Sequence, residues 1–104
     1  MIREDAPSAT RASYARAAQL LKVLGHPARL QTLYFLEEGE ETVTAIQEHV
    51  GLTQAMTSQH LKILHNVGLI QRRRQGTSIF YSIDPTLGRS ILNGLRSCSE
   101  LWHA

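Results

Sequence analysis

The fold is indicated most clearly by residues 44–68, TAIQEHVGLTQAMTSQHLKILHNVG. Apolar side chains recur at helical spacing on both sides of a glycine, which predicts two helices. The first helix is short and ends at Gly51. Thr53 is a favourable N-cap for the second helix, which runs from about Gln54 to Asn66. Because the turn between them is only about three residues long and contains a glycine, the stretch predicts a helix-turn-helix.

Two further helices are predicted before this motif. The first begins at about Thr10 and ends at Gly25. The second begins at the step from His26 to Pro27, since proline suits the first helical turn, and it ends at Gly39. Apolar residues at helical spacing support both helices: Ala17, Leu20, Leu21 and Leu24 in the first, and Leu30, Leu33, Tyr34 and Leu36 in the second.

A β-hairpin is predicted after Gly68, where the apolar period changes from helical to about two. Its first strand carries three arginines at residues 72–74, residues 75–77 form a Gln-Gly-Thr turn, and residues 78–83 are rich in β-forming side chains. A helix-turn-helix followed directly by a basic hairpin predicts a winged helix-turn-helix. The expected fold class is mainly α (α+β), with about five helices and a two-stranded β-hairpin wing.

A last helix is predicted after the hairpin, which ends at Asp84 and Pro85; these two residues also cap the helix. Its apolar residues form one continuous stripe at helical spacing, made of Leu87, Ile91, Leu95, Cys98 and Trp102. Two roles are open for this stripe. Either it folds back on the core of its own domain, or it forms a self-complementary interface in a two-fold dimer, with the first helix beside it.

The size of the chain restricts what it can do. With 104 residues it has the length of one domain and is short for a core that encloses a large active site. We expect a disordered tail over residues 1–9 and a single domain over residues 10–104. No stretch approaches the roughly 18 continuous apolar residues of a membrane helix, and the N-terminus lacks a secretory apolar core. A cytoplasmic protein without a membrane partner is therefore expected.

No enzymatic motif is recognisable in the sequence. It contains no Ser/His/Asp pattern, no carboxylate pair in a pocket-like context and no glycine-rich phosphate loop. The chain is therefore predicted not to be an enzyme, and no cofactor is predicted for it.

The charge is unevenly distributed along the chain. The formal net charge is only +2, yet residues 49–83 contain no carboxylate and include Lys62 and the three arginines of the wing. A basic segment without acids in a nearly neutral chain favours a surface made for a polyanion. The alternative is a solvated face on which basic residues cluster by chance.

The helix from Gln54 to Asn66 is the predicted recognition helix. Amide and hydroxyl side chains in its first turns can bond to base edges in the major groove and to phosphates. An ordinary polar face of this helix would mix acids with bases, and here there are no acids. In the hairpin, arginines that only protected a strand edge could be replaced by glutamate just as well, so the three arginines favour DNA. The predicted DNA-binding residues are Gln54, Thr57, Ser58 and Gln59 facing outward, His60 and Lys62 on the flanks, and Arg72, Arg73, Arg74 and Thr77 in the wing.

From Leu21 to Pro85 the chain resembles the ArsR/SmtB family of bacterial regulators. Three segments carry the resemblance: LKVLGHPARLQTLYFL, LTQAMTSQHLKILHNVGLI and the hairpin RRRQGTSIFYSIDP. The resemblance implies a dimer formed by the first and last helices. It also implies repression of an operator, which a metal ion or a redox signal usually relieves.

The residues at the family's metal positions do not fit a metal site. Metal-sensing relatives carry Cys-x-Cys near the third helix, where this chain has Thr42 and Thr44, and hydroxyls are poor ligands for soft metals. Other relatives bind zinc between the last helices through Asp and His. Here the residue two positions after Asp84 is Thr86 instead of a histidine, and His103 remains alone near the end. No metal site is predicted.

The single cysteine, Cys98, excludes an intramolecular disulfide and a Cys-rich zinc site. Thiol-sensing relatives use two cysteines, and the resemblance puts Tyr34 and about Glu100 at those positions. Two readings of Cys98 are open. It is either a small buried hydrophobe or a redox candidate, which forms a disulfide with its copy across the dimer axis or is modified as a single thiol.

We therefore predict a homodimeric, sequence-specific repressor that binds double-stranded DNA at a palindromic operator without the family's usual metal site. One alternative is a repressor that senses redox state through Cys98. The other is a winged-helix module that binds protein, for which a basic face without acids would have no purpose.

Overall fold

The computed structural model describes residues 9–103, and within that range the chain forms five α-helices, three β-strands and one 3-10 helix. The predicted disordered tail, apart from Ala9, lies outside the described residues. In chain order the elements are α1 (Arg11–Leu24), α2 (Pro27–Glu37), β1 (Glu41–Thr42), α3 (Val43–Val50), α4 (Gln54–Asn66), β2 (Ile70–Gln75), β3 (Ser78–Ile83), α5 (Leu87–Arg96) and the 3-10 helix Ser99–Leu101.

The helix-turn-helix consists of α3 and α4, and side-chain caps fix where both helices begin. The hydroxyl of Thr42 accepts a hydrogen bond from the amide of Ala45, and that of Thr53 accepts one from the amide of Met56. Each cap satisfies a backbone donor that the first helical turn leaves without a partner. Gly51 closes α3 at a φ of 73°, in the left-handed region that favours glycine.

The wing is the hairpin of β2 and β3, to which β1 adds a third antiparallel strand in the order β1-β3-β2. Arg72 pairs with Tyr81 across the hairpin, and Glu41 pairs with the same tyrosine from the other side. The prediction of a two-stranded sheet missed β1. A strand of two residues is too short to produce a visible alternation of apolar and polar side chains.

The core lies between the helices and the base of the wing. Its fully buried apolar residues come from five elements and from the turn after α4, and they are Leu33, Leu36, Ile46, Leu61, Leu64, Leu69, Ile70 and Leu92. Met56 is also apolar, but its side chain is 44% exposed. The inward face of α4 passes through Leu61 and Leu64, and Met56 lies beside that line on the helical wheel.

The last helix is shorter than predicted, since α5 ends at Arg96. The predicted apolar stripe therefore does not continue along the helix to Cys98 and Trp102. Side chains bond the last carbonyl groups of the helix. The Ser97 hydroxyl donates to the Gly94 carbonyl at 2.7 Å, and Trp102 Nε1 donates to the Leu95 carbonyl at 3.0 Å. Glycine and serine also have low helix propensity, so continuation of the helix has little local support.

Beyond α5 the chain folds back toward α2. The Trp102 ring contacts the Tyr34 ring edge to face, with 5.5 Å between the ring centroids and 80° between their planes. Cys98 is exposed, so the prediction of a small buried hydrophobe is wrong within the single chain.

Two helices carry apolar side chains that the single chain leaves uncovered. On α5, Leu92 belongs to the core, whereas Leu87 is 38% exposed. On α1, Tyr14 and Leu21 are both 68% exposed. A Cβ atom on Gly88 would collide with the Leu69 carbonyl oxygen, so α5 is held tightly against the start of the wing. Among residues 9–103, the helices lack the length and the apolar character that a membrane span requires.

Candidate nucleic-acid interface

The exposed face of α4 carries Gln54, Ser58, Gln59 and Lys62, all of them solvent-accessible. Gln54, Ser58 and Lys62 follow one another at intervals of four, which places them in one row along the helix. Within the described part of the chain, none of these four side chains makes a hydrogen bond. Amide and hydroxyl groups in this state can bond to a ligand without first losing a protein partner.

Two other residues of the predicted interface lie on the opposite, buried face of α4, so the prediction that they face outward or flank the outward face is wrong. Thr57 is 2% exposed, and its hydroxyl donates to the Thr53 carbonyl at 2.8 Å. His60 is 9% exposed, and its Nδ1 accepts a hydrogen bond from Arg29 Nε at 3.1 Å. Both lie in the same stripe as Leu61 and Leu64.

The three arginines of the wing differ in their surroundings. Arg72 and Arg74 project from one face of β2 and Arg73 from the other, because side chains alternate along a strand. Arg73 Nε lies 2.8 Å from Glu40 Oε2, and Arg73 Nη1 donates to Gln75 Oε1 at 2.7 Å. Within the described residues, Arg72 and Arg74 have no such side-chain partner.

The acid that holds Arg73 comes from outside the acid-free segment. Glu40 precedes β1, and the pairing of β1 with β3 brings this glutamate beside the wing. The hydrogen bond from Arg73 holds the pKa of Glu40 below its usual value. The Arg73 guanidinium also lies over the Phe80 ring, 4.8 Å from its centroid. Arg73 is therefore a fixed part of the wing.

The tip of the wing is a tight turn between β2 and β3. Gly76 has a φ of 63°, which a glycine adopts without strain. Thr77 follows it and is exposed.

A groove of about 250 Å³ separates α4 from the wing. The residues that line it are Ser58, Leu61, Lys62, His65, Arg72 and Tyr81. Lys62 and Arg72 face it from opposite sides and carry positive charge, and no carboxylate contributes to the lining. The sequence did not indicate His65 or Tyr81. The pairing of Arg72 with Tyr81 across the hairpin could have suggested the tyrosine.

Two of the residues at the family's metal positions, Thr42 and Asp84, have structural roles in this chain. The Thr42 hydroxyl caps α3, and one Asp84 oxygen accepts hydrogen bonds from the amides of Thr86 and Leu87 at the start of α5. Burial alone would raise the pKa of Asp84, but these amides and the side chain of Gln71 lower it below its usual value. Among residues 9–103, no three His, Cys, Asp or Glu side chains come together as a metal-binding group would require.

Comparisons with known proteins agree with this architecture. The profile of the family described as "Bacterial regulatory protein, arsR family" matches residues 26–72, from the start of α2 into the wing. The transcriptional regulator NmtR of Mycobacterium tuberculosis is 36% identical over 101 residues, which cover 97% of this chain and 83% of that protein. The biofilm growth-associated repressor of Xylella fastidiosa is 36% identical over 78 residues, covering 75% of this chain and 68% of the repressor.

A solved structure extends the likeness to three dimensions. The homodimeric winged helix-turn-helix DNA-binding domain Mb0332 of Mycobacterium bovis superposes with a TM-score of 0.80 at 27% identity, covering 96% of this chain and 91% of that one. The predicted fold and the predicted family are thereby confirmed, as is the prediction of a regulator instead of an enzyme. The chain belongs to the arsR family of bacterial regulatory proteins, which are winged helix-turn-helix DNA-binding transcriptional regulators.

Proposed function

We propose that this protein is a homodimeric, sequence-specific transcriptional repressor that acts in the cytoplasm on a palindromic operator. The exposed face of α4 reads bases in the major groove, and the wing contacts the DNA backbone. The observation that supports this proposal is the row of Gln54, Ser58 and Lys62, with Gln59 beside it. Within the described chain, the side chains of these four residues make no hydrogen bond. Amide side chains can bond bidentately to adenine, and hydroxyls bond to several bases.

The groove between α4 and the wing supports a backbone contact next to the base-reading face. Lys62 and Arg72 put two positive charges on its opposite walls, and Ser58 and Tyr81 add hydroxyl groups. These are the side chains that commonly contact phosphate oxygens. If one DNA strand lay in this protein groove, α4 would enter the adjacent major groove of the DNA.

The dimer is supported by the uncovered apolar side chains of α1 and α5. Tyr14, Leu21 and Leu87 are exposed in the single chain, and their burial against a second copy would remove apolar surface from water. The Mycobacterium bovis neighbour is described as homodimeric. Two-fold symmetry would place two copies of α4 about one DNA turn apart, roughly 34 Å, and would require an inverted repeat in the operator.

Selection of bound sequences from random double-stranded DNA tests the proposal. We expect an enriched inverted repeat whose half-sites are centred about 10 base pairs apart. A Lys62→Ala variant should bind the same sequences more weakly, and Lys22→Ala serves as its matched control, because it removes one positive charge from α1. Enrichment of no sequence at all would contradict sequence-specific reading.

A salt titration separates this proposal from a protein-binding module. DNA binding that involves phosphates weakens with salt, with a log–log slope of about −0.9 for each neutralised phosphate. We expect a steep slope for this protein. A chain that binds protein through its winged helix would show weak DNA binding at every salt concentration.

Repression without the family's usual metal site is part of the proposal. Thr42 and Asp84 use their oxygen atoms to cap helices, and Thr44 offers a hydroxyl in place of a thiolate. We therefore expect operator binding to be unaffected by a chelator and by added zinc, measured at constant ionic strength. Release from DNA by micromolar zinc would overturn this part of the proposal.

A second candidate function is a redox-responsive repressor that uses Cys98, and the exposure of this thiol favours it. Oxidation would join two Cys98 sulfurs of a dimer, with loss of two protons and two electrons to a peroxide. Non-reducing mass spectrometry should then detect a disulfide-linked dimer with altered operator affinity, and Cys98→Ser should abolish both effects. Free thiol with unchanged DNA binding after peroxide treatment would exclude this function.

A further inference from the structure

The buried face of α4 holds a polar cluster that the proposed function leaves unexplained. His60 Nδ1 accepts a hydrogen bond from Arg29 Nε at 3.1 Å, and Arg29 Nη1 donates to the Val23 carbonyl at 3.1 Å. Val23 lies in the last turns of α1, Arg29 in the first turns of α2, and His60 in the middle of α4. One guanidinium therefore connects three helices.

His26 completes this cluster from the residue before α2. Its ring meets the His60 ring edge-on, with 4.4 Å between centroids and 62° between planes. Within the described chain, His26 Nδ1 and His60 Nε2 are buried and have no hydrogen-bond partner. Buried polar atoms without partners reduce stability, so packing alone does not explain why this cluster is polar.

The contact with Arg29 determines the protonation state of His60. An arginine Nε–H can only donate, so His60 Nδ1 must accept and carries no proton. The imidazole is therefore neutral, with its single proton on Nε2. A charged imidazolium would have a donor on both nitrogens and would lose the bond to Arg29.

The surroundings of His60 oppose its protonation. Burial lowers the pKa of His60 below its usual value of 6.5, and His26 and Arg29 lower it further. These two are the titratable or charged groups that face His60 from α2 and its N-cap. Among the described residues, no carboxylate makes a hydrogen bond or ion pair with the cluster, so a protonated His60 would face Arg29 as a like charge.

We propose that Arg29 and neutral His60 are positioning residues that hold α4 against α1 and α2 for DNA reading, and that protonation of His60 releases α4 and weakens operator binding. The inference rests on the proposed function, because it assigns these residues to the placement of the reading helix. Ser58 and Gln59 immediately precede His60, so a shift of His60 moves both base-reading side chains. Misplacement by about 1 Å is enough to disturb paired hydrogen bonds to a base.

The expected pH dependence is opposite in sign to that of a histidine on the DNA surface. His65 lines the groove between α4 and the wing, and a proton on it would add positive charge beside a phosphate and strengthen binding. Protonation of His60 weakens binding instead. His65→Gln removes the surface contribution, so the experiment is performed in that background and in the unmodified chain.

The test measures operator affinity between about pH 7.5 and pH 5.5 at constant ionic strength. We expect the His65→Gln protein to lose about tenfold in affinity on acidification, the effect of losing one hydrogen bond to a charged partner. His60→Asn is the matched variant, because the asparagine carbonyl can accept from Arg29 near the Nδ1 position at every pH. Its affinity should be independent of pH across this range.

Arg29→Ala provides a second, independent variant. It should have lowered operator affinity already at neutral pH and no further loss in acid, while circular dichroism reports an intact fold. If His65→Gln and its His60→Asn derivative show the same pH profile while both bind the operator, the inference is wrong and the proposed function stands. If neither selects any DNA sequence at neutral pH, the proposed function itself is wrong.

Discussion

The exposed face of α4 and the wing together form the proposed DNA-binding surface, but the protein holds their polar side chains differently. On α4, the side chains of Gln54, Ser58 and Gln59 have no hydrogen-bond partner among the described residues. In the wing, Arg73 is held by Glu40, Gln75 and the Phe80 ring. The helix thus leaves its hydrogen-bonding groups available, whereas the wing uses one of its three arginines to fix its own position.

The two regions also differ in charge. Lys62 is the one cation in the exposed row of α4, whereas the wing adds Arg72 and Arg74 beside the fixed Arg73. Neutral amides and hydroxyls distinguish base edges, and cations attract phosphates regardless of sequence. Variants of the neutral side chains of α4 should therefore change which DNA is bound, and variants of Lys62 or of the wing cations should change how tightly all DNA is bound.

The largest effect is expected from Gln59→Ala. If Gln59 bonds to a base, its loss should remove about 1–3 kcal/mol of discrimination at one operator position. Competition between the operator and single-base variants measures this loss. Gln19→Ala on the exposed side of α1 is the matched control and should leave discrimination intact. Unchanged discrimination by Gln59→Ala would remove this residue from the reading face.

A smaller and uniform effect is expected when Arg72 and Arg74 are both replaced with alanine. Affinity for specific and random DNA should fall by the same factor, and the log–log salt slope should flatten by about 0.9 for each lost phosphate contact. The salt dependence of binding to both kinds of DNA measures this. A loss confined to one sequence would mean that the wing reads bases and that the contrast with α4 is false.

A still smaller effect on the salt slope is expected from Arg73→Ala, because Glu40 already neutralises this guanidinium. The main consequence should be a looser wing, seen as faster amide hydrogen exchange in β2 and β3 at residues 70–83. Glu40→Gln should loosen the wing in the same way while it leaves the arginine in place. If Arg73→Ala flattened the salt slope as much as Arg72→Ala does, Arg73 would be a DNA contact instead of a structural one.

The smallest effect is a pH dependence of folding, and it arises on the buried face of α4. The pKa of His60 is lowered in the folded state, so the unfolded chain binds the proton more strongly. The free energy of unfolding should therefore decrease as the pH falls through the ordinary value of 6.5, and should level off below the lowered pKa. Urea unfolding of wild type and His60→Asn across this range measures it, and identical pH profiles would contradict it.

The sequence predicted the bounds of α4 correctly because local signals determine them. Gly51 closes the preceding helix and Thr53 supplies the N-cap of α4. The short interval between these two residues leaves room for only one tight turn. The end of α5 was missed in part because it also depends on Trp102, whose indole bonds to a carbonyl seven residues earlier and packs on Tyr34. Local propensity carries no information on such a contact.

The candidate site was predicted in part for a similar reason. A polar side chain in a recognition helix suggests an outward direction, but Thr57 and His60 find partners inside the protein and lie on the core side. The absence of acids from residues 49–83 suggested a wing without acids. That inference could not include Glu40, since the short strand β1 brings it to the wing from elsewhere in the chain.

Transfer of the exposed α4 side chains to a relative tests whether this helix reads the operator. Gln54, Ser58, Gln59 and Lys62 are placed at the corresponding positions of the Mycobacterium bovis relative, and the bound DNA is selected from random sequences. If α4 reads the operator, the hybrid should select the sequence preferred by this protein. A hybrid that keeps the preference of its host, with unchanged fold and affinity, would contradict the claim.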